Sequence, residues 1–235
     1  MTRSRKVPSR VSEKRRAKAA ALFRFDRSHG RRFSIGADEA GRGCLAGPMV
    51  AASVAFDLEG MGRSQRMALS ELDDSKRRDP AKRDELYEAV LGAAHSVSVS
   101  VVSPGEIDSF GLHESNLAAL ARCLADLSGV GEDRVLLVDG FALPALELEH
   151  EAVVKGDTTS AAIAAASVVA KVTRDRLMAR ADEAFPGWGF ADHYGYSTDV
   201  HRDAIRERGI CALHRRSFAS TAYVQLELGE TRGAA

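Results

Sequence analysis

Three apolar runs in this chain each stop at an acidic residue. RFSIGA leads into Asp38, RVLLV into Asp139 and AVVKG into Asp157. Runs this short and apolar read as strands, and the continuous Val135–Val138 run suits a strand buried on both faces. In open α/β sheets, ligand sites form beyond the downstream ends of the strands. The pattern therefore points to a sheet with helices on its faces and a polar site at one end. Asp38 is followed at once by Glu39 and then by Gly41-Arg42-Gly43, glycines that let a ligand come close to the backbone.

The other elements fit that frame. PMVAASVAF, residues 48–56, reads as a second strand, with Val50, Ala52, Val54 and Phe56 on one face. A helix is predicted from about Pro80 to His95, with Asp79 as N-cap and Leu86, Val90 and Ala94 as its apolar stripe. Val97, Val99 and Val101 alternate with serines in a half-buried strand. Leu117, Leu120, Leu124 and Leu127 trace a helix face that Gly129 ends. A further strand is expected at 152–154. Residues 159–181 are Ala-rich and apolar nearly all round, as expected of a helix packed inside the protein. A last helix is expected over 198–208. Strands followed by alternating helices and strands predict an α/β domain with a mixed sheet. The expected division is a basic, flexible extension over 1–30, a catalytic domain over 31–190, and a substrate-contacting C-terminal subdomain and tail over 191–235.

At 235 residues the chain has room for one domain with a sizeable core. No apolar run approaches the roughly 18 residues of a membrane span, and no secretory apolar core stands near the N-terminus. Cys44, Cys123 and Cys211 are scattered, which argues for a reducing compartment and against a zinc site or disulfide framework. A cytoplasmic protein is expected. The formal charge is zero but unevenly spread. Residues 1–32 hold 12 Lys/Arg against Glu13 and Asp26, and the remainder holds 21 basic and 31 acidic residues. Such a head suits either a phosphate-binding arm or a plain solvated extension, partly helical at most around Glu13–Phe25.

Four carboxylates exceed what a general acid/base pair needs. They suit hard divalent cations, which take oxygen ligands, and a two-metal site in which the cations flank an in-line phosphoryl displacement. Taken singly, each acid also suits a cap or turn. Asp157, ahead of Thr158-Thr159-Ser160 and a helix, suits capping as well as chemistry. Asp38 and Glu39 can share one site only if the strand breaks there, a break that Ala40-Gly41 is expected to supply.

DEAGRG at 38–43, LDDSK at 72–76, LLVDG, VKGD followed by AAIAAASVVAKVTRD, and GYSTDVH together resemble the bacterial ribonuclease HII family. The resemblance spans about residues 33–218. It implies a ribonuclease H-like fold: a mixed five-stranded sheet flanked by helices, with a small helical C-terminal subdomain. It implies Mg²⁺- or Mn²⁺-dependent cleavage of RNA in RNA–DNA hybrids. It also implies incision 5′ of single ribonucleotides in duplex DNA, leaving 3′-hydroxyl and 5′-phosphate ends. Asp38, Glu39, Asp139 and Asp157 match the family's metal-binding carboxylates. Gly41, Arg42 and Gly43 match the loop that recognises the ribonucleotide through its 2′-hydroxyl, the group that distinguishes RNA from DNA. Tyr196 matches the tyrosine that stacks on the next deoxyribose, although a loop anchor is the plainer role for it. Lys76, Lys171 and Arg174 are candidate phosphate contacts. His193 and His201 are read as structural hydrogen-bonders.

The expected partners are RNA–DNA hybrid and ribonucleotide-containing duplex DNA, with no membrane, and a monomer is expected. Gln225-Leu226-Glu227-Leu228-Gly229 faintly resembles the sliding-clamp pentapeptide, but Gly229 stands where its aromatic anchor is usual. Ribonuclease HIII is the nearest competing reading. It normally carries a folded N-terminal substrate-binding domain, for which a basic stretch of about thirty residues is too short.

Overall fold

The computed structural model describes residues 10–72, 80–218 and 223. Its centre is a five-stranded sheet formed by β1 (Phe33–Ala40), β2 (Met49–Asp57), β3 (Ser96–Val102), β4 (Arg134–Asp139) and β5 (Glu151–Val153). The strand order is β3-β2-β1-β4-β5. β1 runs antiparallel to β2 and parallel to β4, so the sheet is mixed. The helices are α1 (Arg10–Ser28), α2 (Arg63–Ala68), α3 (Pro80–Ala93), α4 (Pro104–Phe110), α5 (Leu112–Asp126), α6 (Ala161–Ala184), α7 (Phe190–His193) and α8 (Asp199–Arg208).

The two faces of the sheet are covered by different helices. α5 lies on the face that carries Ile35, Ala37, Ala51, Leu136 and Val138. α6 lies on the other, against Val50, Ala52 and Val54, with α1 and α3 packed around it. Gly36 sets how closely α6 approaches. A Cβ there would stand 2.2 Å from the Ile163 nitrogen, so the helix backbone rests directly on β1. The apolar run read from the sequence is accordingly buried from Ala161 to Ala170. Ser160 caps the helix, its hydroxyl accepting from the Ile163 N–H at 3.3 Å. Asp157 therefore lies ahead of the cap, in a 3₁₀ turn over Gly156–Thr158.

Within the expected flexible extension, residues 10–28 form the helix α1, packed against the sheet domain. Over α1, Ala19, Leu22 and Phe23 are buried, and Phe23 meets Phe56 of β2 at 5.6 Å between ring centroids. Asp26 is wholly buried, and its Oδ2 accepts the Ala162 N–H of α6 at 3.0 Å. Burial raises this carboxyl's pKa above the usual range, against the lowering effect of its hydrogen bonds to Ser160, Ala162, Ser34 and Ala161. The basic residues hid this from sequence reading. Only one face of the helix is apolar, and Arg16, Arg24 and Arg27 lie on the exposed side. The helix α2 falls in a stretch that reads as a plain connection. The expected N-cap Asp79 lies outside the described residues.

Candidate active site

The sheet ladder positions the aspartates. β1 and β4 pair in parallel with Ala37 opposite Val138, so Asp38 and Asp139 follow side by side on adjacent strands. Ala37 and Val138 face α5, so alternation turns Asp38 and Asp139 toward α6. Asp38 is buried, and its Oδ1 accepts the Glu39 N–H at 2.7 Å. Asp139 Oδ1 accepts the Gly156 N–H at 2.6 Å, which draws the turn holding Asp157 against the end of β4. Gly156 is required at this contact. A Cβ would stand 2.6 Å from Ile163 Cδ1 and 3.1 Å from Asp139 Oδ1.

The break expected at Ala40-Gly41 comes only at Gly41, too late to separate Asp38 and Glu39 from the regular strand. β1 stays in register with β2 through Glu39–Ala51 and Ala40–Val50, which places the two acids on opposite sides of the strand. The chain turns only at Gly41, where φ is +90°. Among the described residues, no three His, Cys, Asp or Glu side chains form a ready-made metal cluster. The structure instead brings together Asp38, Asp139 and the Asp157 turn, with half-buried Glu39 leaving from the far side of β1. Each donor is a carboxylate oxygen, and a main-chain N–H orients one oxygen of both Asp38 and Asp139. That donor set fits Mg²⁺ or Mn²⁺ and is a poor match for softer metals.

Next to the acids, residues 41–48 are held as one unit with two C-terminal segments. The Leu45 and Ala46 N–H groups donate to the Gly195 carbonyl at 2.9 and 3.3 Å. On the other side, Gly47 N–H donates to Leu213 O at 2.8 Å and Arg215 N–H to Leu45 O at 2.9 Å. Tyr196 follows Gly195 directly and is partly exposed. Its hydroxyl pairs with the buried Cys44 thiol, and burial pushes both groups above their ordinary pKa values.

Two buried arginines hold this unit. Arg174 was expected to contact phosphate, and the structure corrects that. It is fully buried and gives all its visible hydrogen bonds to main chain: Nε to Pro48 O at 2.8 Å, one terminal nitrogen to Tyr194 O at 2.8 Å and the other to Ala46 O at 3.1 Å. With three of its five N–H donors on main-chain carbonyls and no exposed surface, this side chain is not presented to substrate. Gly41 lies so close to it that a Cβ would come within 1.9 Å of Arg174 Nε. The second arginine, Arg215, has no counterpart among the sequence candidates. Burial lowers its pKa to about 10.

Lys171 lies at the rim. Its ammonium pairs with Asp175 at 2.7 Å and stands 5.0 Å and 5.2 Å from the ring centres of Tyr194 and Tyr196. Arg42 is half-buried, with its guanidinium over Phe141 at 5.4 Å, just beyond Asp139. Gly43 is exposed. Lys76 and the pentapeptide at 225–229 lie outside the described residues. His193, His201 and His214 form a buried group beside Tyr196, in which the His193 and His201 rings stack and His214 is tilted. His201 Nδ1 bonds to Tyr196 O at 2.9 Å, and His193 Nε2 bonds to Trp188 O at 2.7 Å. Burial lowers His201 and His214 to about 4, so both are neutral supports.

The model of the ribonuclease HII family matches residues 35–221. The chain belongs to that family. A ribonuclease HII of Salinispora arenicola is 44% identical over 218 residues, covering 93% of this chain and 78% of its own length. Among solved structures, the ribonuclease H2 of Pyrococcus horikoshii superposes with a TM-score of 0.69 at 24% identity, covering 85% of this chain and 99% of that one. The ribonuclease HII of Archaeoglobus fulgidus, solved in complex with PCNA, gives 0.67 at 26% identity over 80% and 96%. Family membership makes this chain a metal-dependent endoribonuclease acting on RNA–DNA hybrids. Among the described residues, no helix is long and apolar enough to cross a membrane.

Proposed function

We propose that this protein nicks duplex DNA on the 5′ side of a single embedded ribonucleotide, as well as cutting RNA in hybrids, and leaves 3′-hydroxyl and 5′-phosphate ends. The observation that carries the reading is the juxtaposition of two surfaces. Asp38 and Asp139 end adjacent parallel strands, and the Gly41-Arg42-Gly43 turn leaves β1 at the same end, bonded to the segment that presents Tyr196.

Asp38, Asp139 and Asp157 supply the carboxylates that hold the Mg²⁺ or Mn²⁺ ions, and Glu39, on the opposite side of β1, joins them by reaching around the end of the strand. Bound there, the cations would supply Lewis-acid stabilisation of the attacking and leaving oxygens. Gly156 N–H orients Asp139 for that task. The glycine turn presents main-chain donors to the 2′-hydroxyl, which both donates and accepts hydrogen bonds. The Tyr196 ring covers the following sugar and rejects a second 2′-hydroxyl by shape. Lys171, close to that ring, faces the backbone phosphates. The partners are thus RNA–DNA hybrid and ribonucleotide-containing duplex DNA.

The test is incubation with a duplex carrying one ribonucleotide, with Mg²⁺ or Mn²⁺, beside an all-DNA control. Cutting on the 5′ side of the ribonucleotide, with the control intact, is the expected result. Equal cutting of the control, or full activity in excess EDTA, would overturn the reading.

A further inference from the structure

The carbonyl of Arg42 points away from solvent. It accepts a hydrogen bond from a terminal nitrogen of Arg215 at 3.0 Å. The other two nitrogens of that guanidinium both donate to Gly47 O, Nε at 3.0 Å and the second terminal nitrogen at 2.9 Å. One side chain therefore pins both ends of the 42–47 turn. Arg215 has no exposed surface, and its guanidinium stands 5.2 Å from the Phe218 ring centre. Its own backbone is tied to the same turn through Leu45 O, and its neighbour His214 bridges to Ala46. A charge this deep needs hydrogen-bond partners, and here main-chain carbonyls take a bond from each of its three nitrogens.

The consequence lies on the other side of the peptide. All described peptide bonds are trans, so each carbonyl and the N–H that follows point in opposite directions. With the Arg42 carbonyl held inward, the Gly43 N–H is directed outward. Gly43 is exposed, and a Cβ there would meet no atom within 4 Å. The Arg42 guanidinium lies over the Phe141 ring.

We infer that Arg215 is a positioning residue for ribose selection: by holding the Arg42 carbonyl inward it aims the Gly43 N–H at the ribonucleotide's 2′-oxygen. The inference rests on the reading of the glycine turn given above. Lysine cannot replace this arginine, because a single ammonium lacks the planar fork that reaches Arg42 and Gly47 together.

The test is binding without cleavage. Full-length protein in Ca²⁺ is titrated with a duplex carrying one ribonucleotide and with the same all-DNA duplex, and the ratio of the two affinities is taken. The wild type favours the ribonucleotide. Arg215→Lys lowers that preference about tenfold, the loss expected for one misdirected hydrogen bond. Tyr223→Phe removes a hydroxyl bond to Leu45 O in the same turn without touching the Arg42 carbonyl, and it keeps the preference. A second measurement does not depend on any variant folding. In the wild type, the Gly43 amide resonance shifts downfield with the ribonucleotide duplex and not with the all-DNA duplex. A wild type without preference would overturn the reading of the glycine turn. A wild-type preference retained by Arg215→Lys, or lost equally in Tyr223→Phe, would overturn the role of Arg215. So would a Gly43 amide that responds alike to both duplexes.

Discussion

The sheet end that carries Asp38 and Asp139 and the turn that carries Gly41-Arg42-Gly43 are neighbours in the chain, yet different chemistry holds them. At the sheet end, position follows from the β-ladder. Parallel pairing of β1 and β4 sets the two aspartates side by side, and single main-chain N–H groups fix their rotamers. In the turn there is no ladder to rely on. Its shape comes from two buried guanidiniums, Arg174 and Arg215, each reaching back more than a hundred residues to main-chain carbonyls. A ladder fixes backbone geometry over its whole length and tolerates side-chain change. A turn held by buried charges depends on every donor in the set. The first arrangement suits a site that must bear clustered negative charge. The second suits a turn whose peptide planes must face particular ways.

That contrast can be broken by mutation, and the largest expected effect lies away from both regions. Removing residues 1–30 takes out the buried Leu22 and Phe23 and the Asp26 bond to α6. Burial of two such side chains is worth about 3–6 kcal/mol, so the truncated protein should be strongly destabilised in chemical denaturation. A truncated protein with wild-type stability would show that α1 contributes nothing to the core.

Arg174→Ala should come next. It leaves three buried carbonyls without their donor, and the expected loss is about 3 kcal/mol or more in unfolding free energy. Asn at Asp139 should leave stability nearly unchanged, because the ladder does not need the charge. If the two variants were equally destabilised, the distinction between the regions would fail.

Tyr196→Ala should act on selectivity rather than on stability. Losing the ring should lower single-ribonucleotide incision relative to cleavage of a continuous hybrid by about 1–3 kcal/mol, using base–aromatic stacking as the analogue. The ratio of the two rates, measured on one preparation, decides it. An unchanged ratio would make Tyr196 a loop anchor only.

The smallest effect is a pH dependence. His201 and His214, packed against Phe190 and His193, share a bond of 3.2 Å between their Nε2 atoms and titrate as a pair. Burial holds both near pKa 4 in the folded protein, below the ordinary 6.5. The unfolded chain therefore binds more protons through that window. Stability should be complete above about pH 6.5 and fall as pH drops toward 4, by under about 1 kcal/mol per histidine between pH 7 and 6. Thermal melts of wild type and His201→Gln across this range should show a shallower decline in the variant. Parallel declines would remove the histidines from the account.

The same contrast explains what was legible in the sequence. Strands, their apolar faces and the acids at their ends follow local periodicity, so the sheet, α6 and the aspartate positions could be read directly. Asp38 and Glu39 show the limit. Ala40-Gly41 looked like a break, but pairing with β2 continues through Ala40, because Val50 and Ala51 offer an unbroken partner strand. Arg174 stands at the charged end of an apolar helix and reads as a phosphate contact, and only tertiary packing shows its guanidinium wholly enclosed. Arg215 gave no local signal, since its partners lie far away at 42 and 47. α1 was hidden because a basic exposed face outweighs its narrow apolar stripe in composition. Asp26, one of only two acids there, was the visible exception.

The central claim is that the ends of β1 and β4 and the turn before α6 form one divalent-metal site. Mn²⁺ titration followed by electron paramagnetic resonance tests it most directly, on folded wild type and folded Asp139→Asn in the presence of ribonucleotide duplex. The wild type should bind Mn²⁺ and nick the duplex, and Asp139→Asn should lose both while keeping its fold. Unchanged Mn²⁺ binding and cleavage by a folded Asp139→Asn protein would contradict the account.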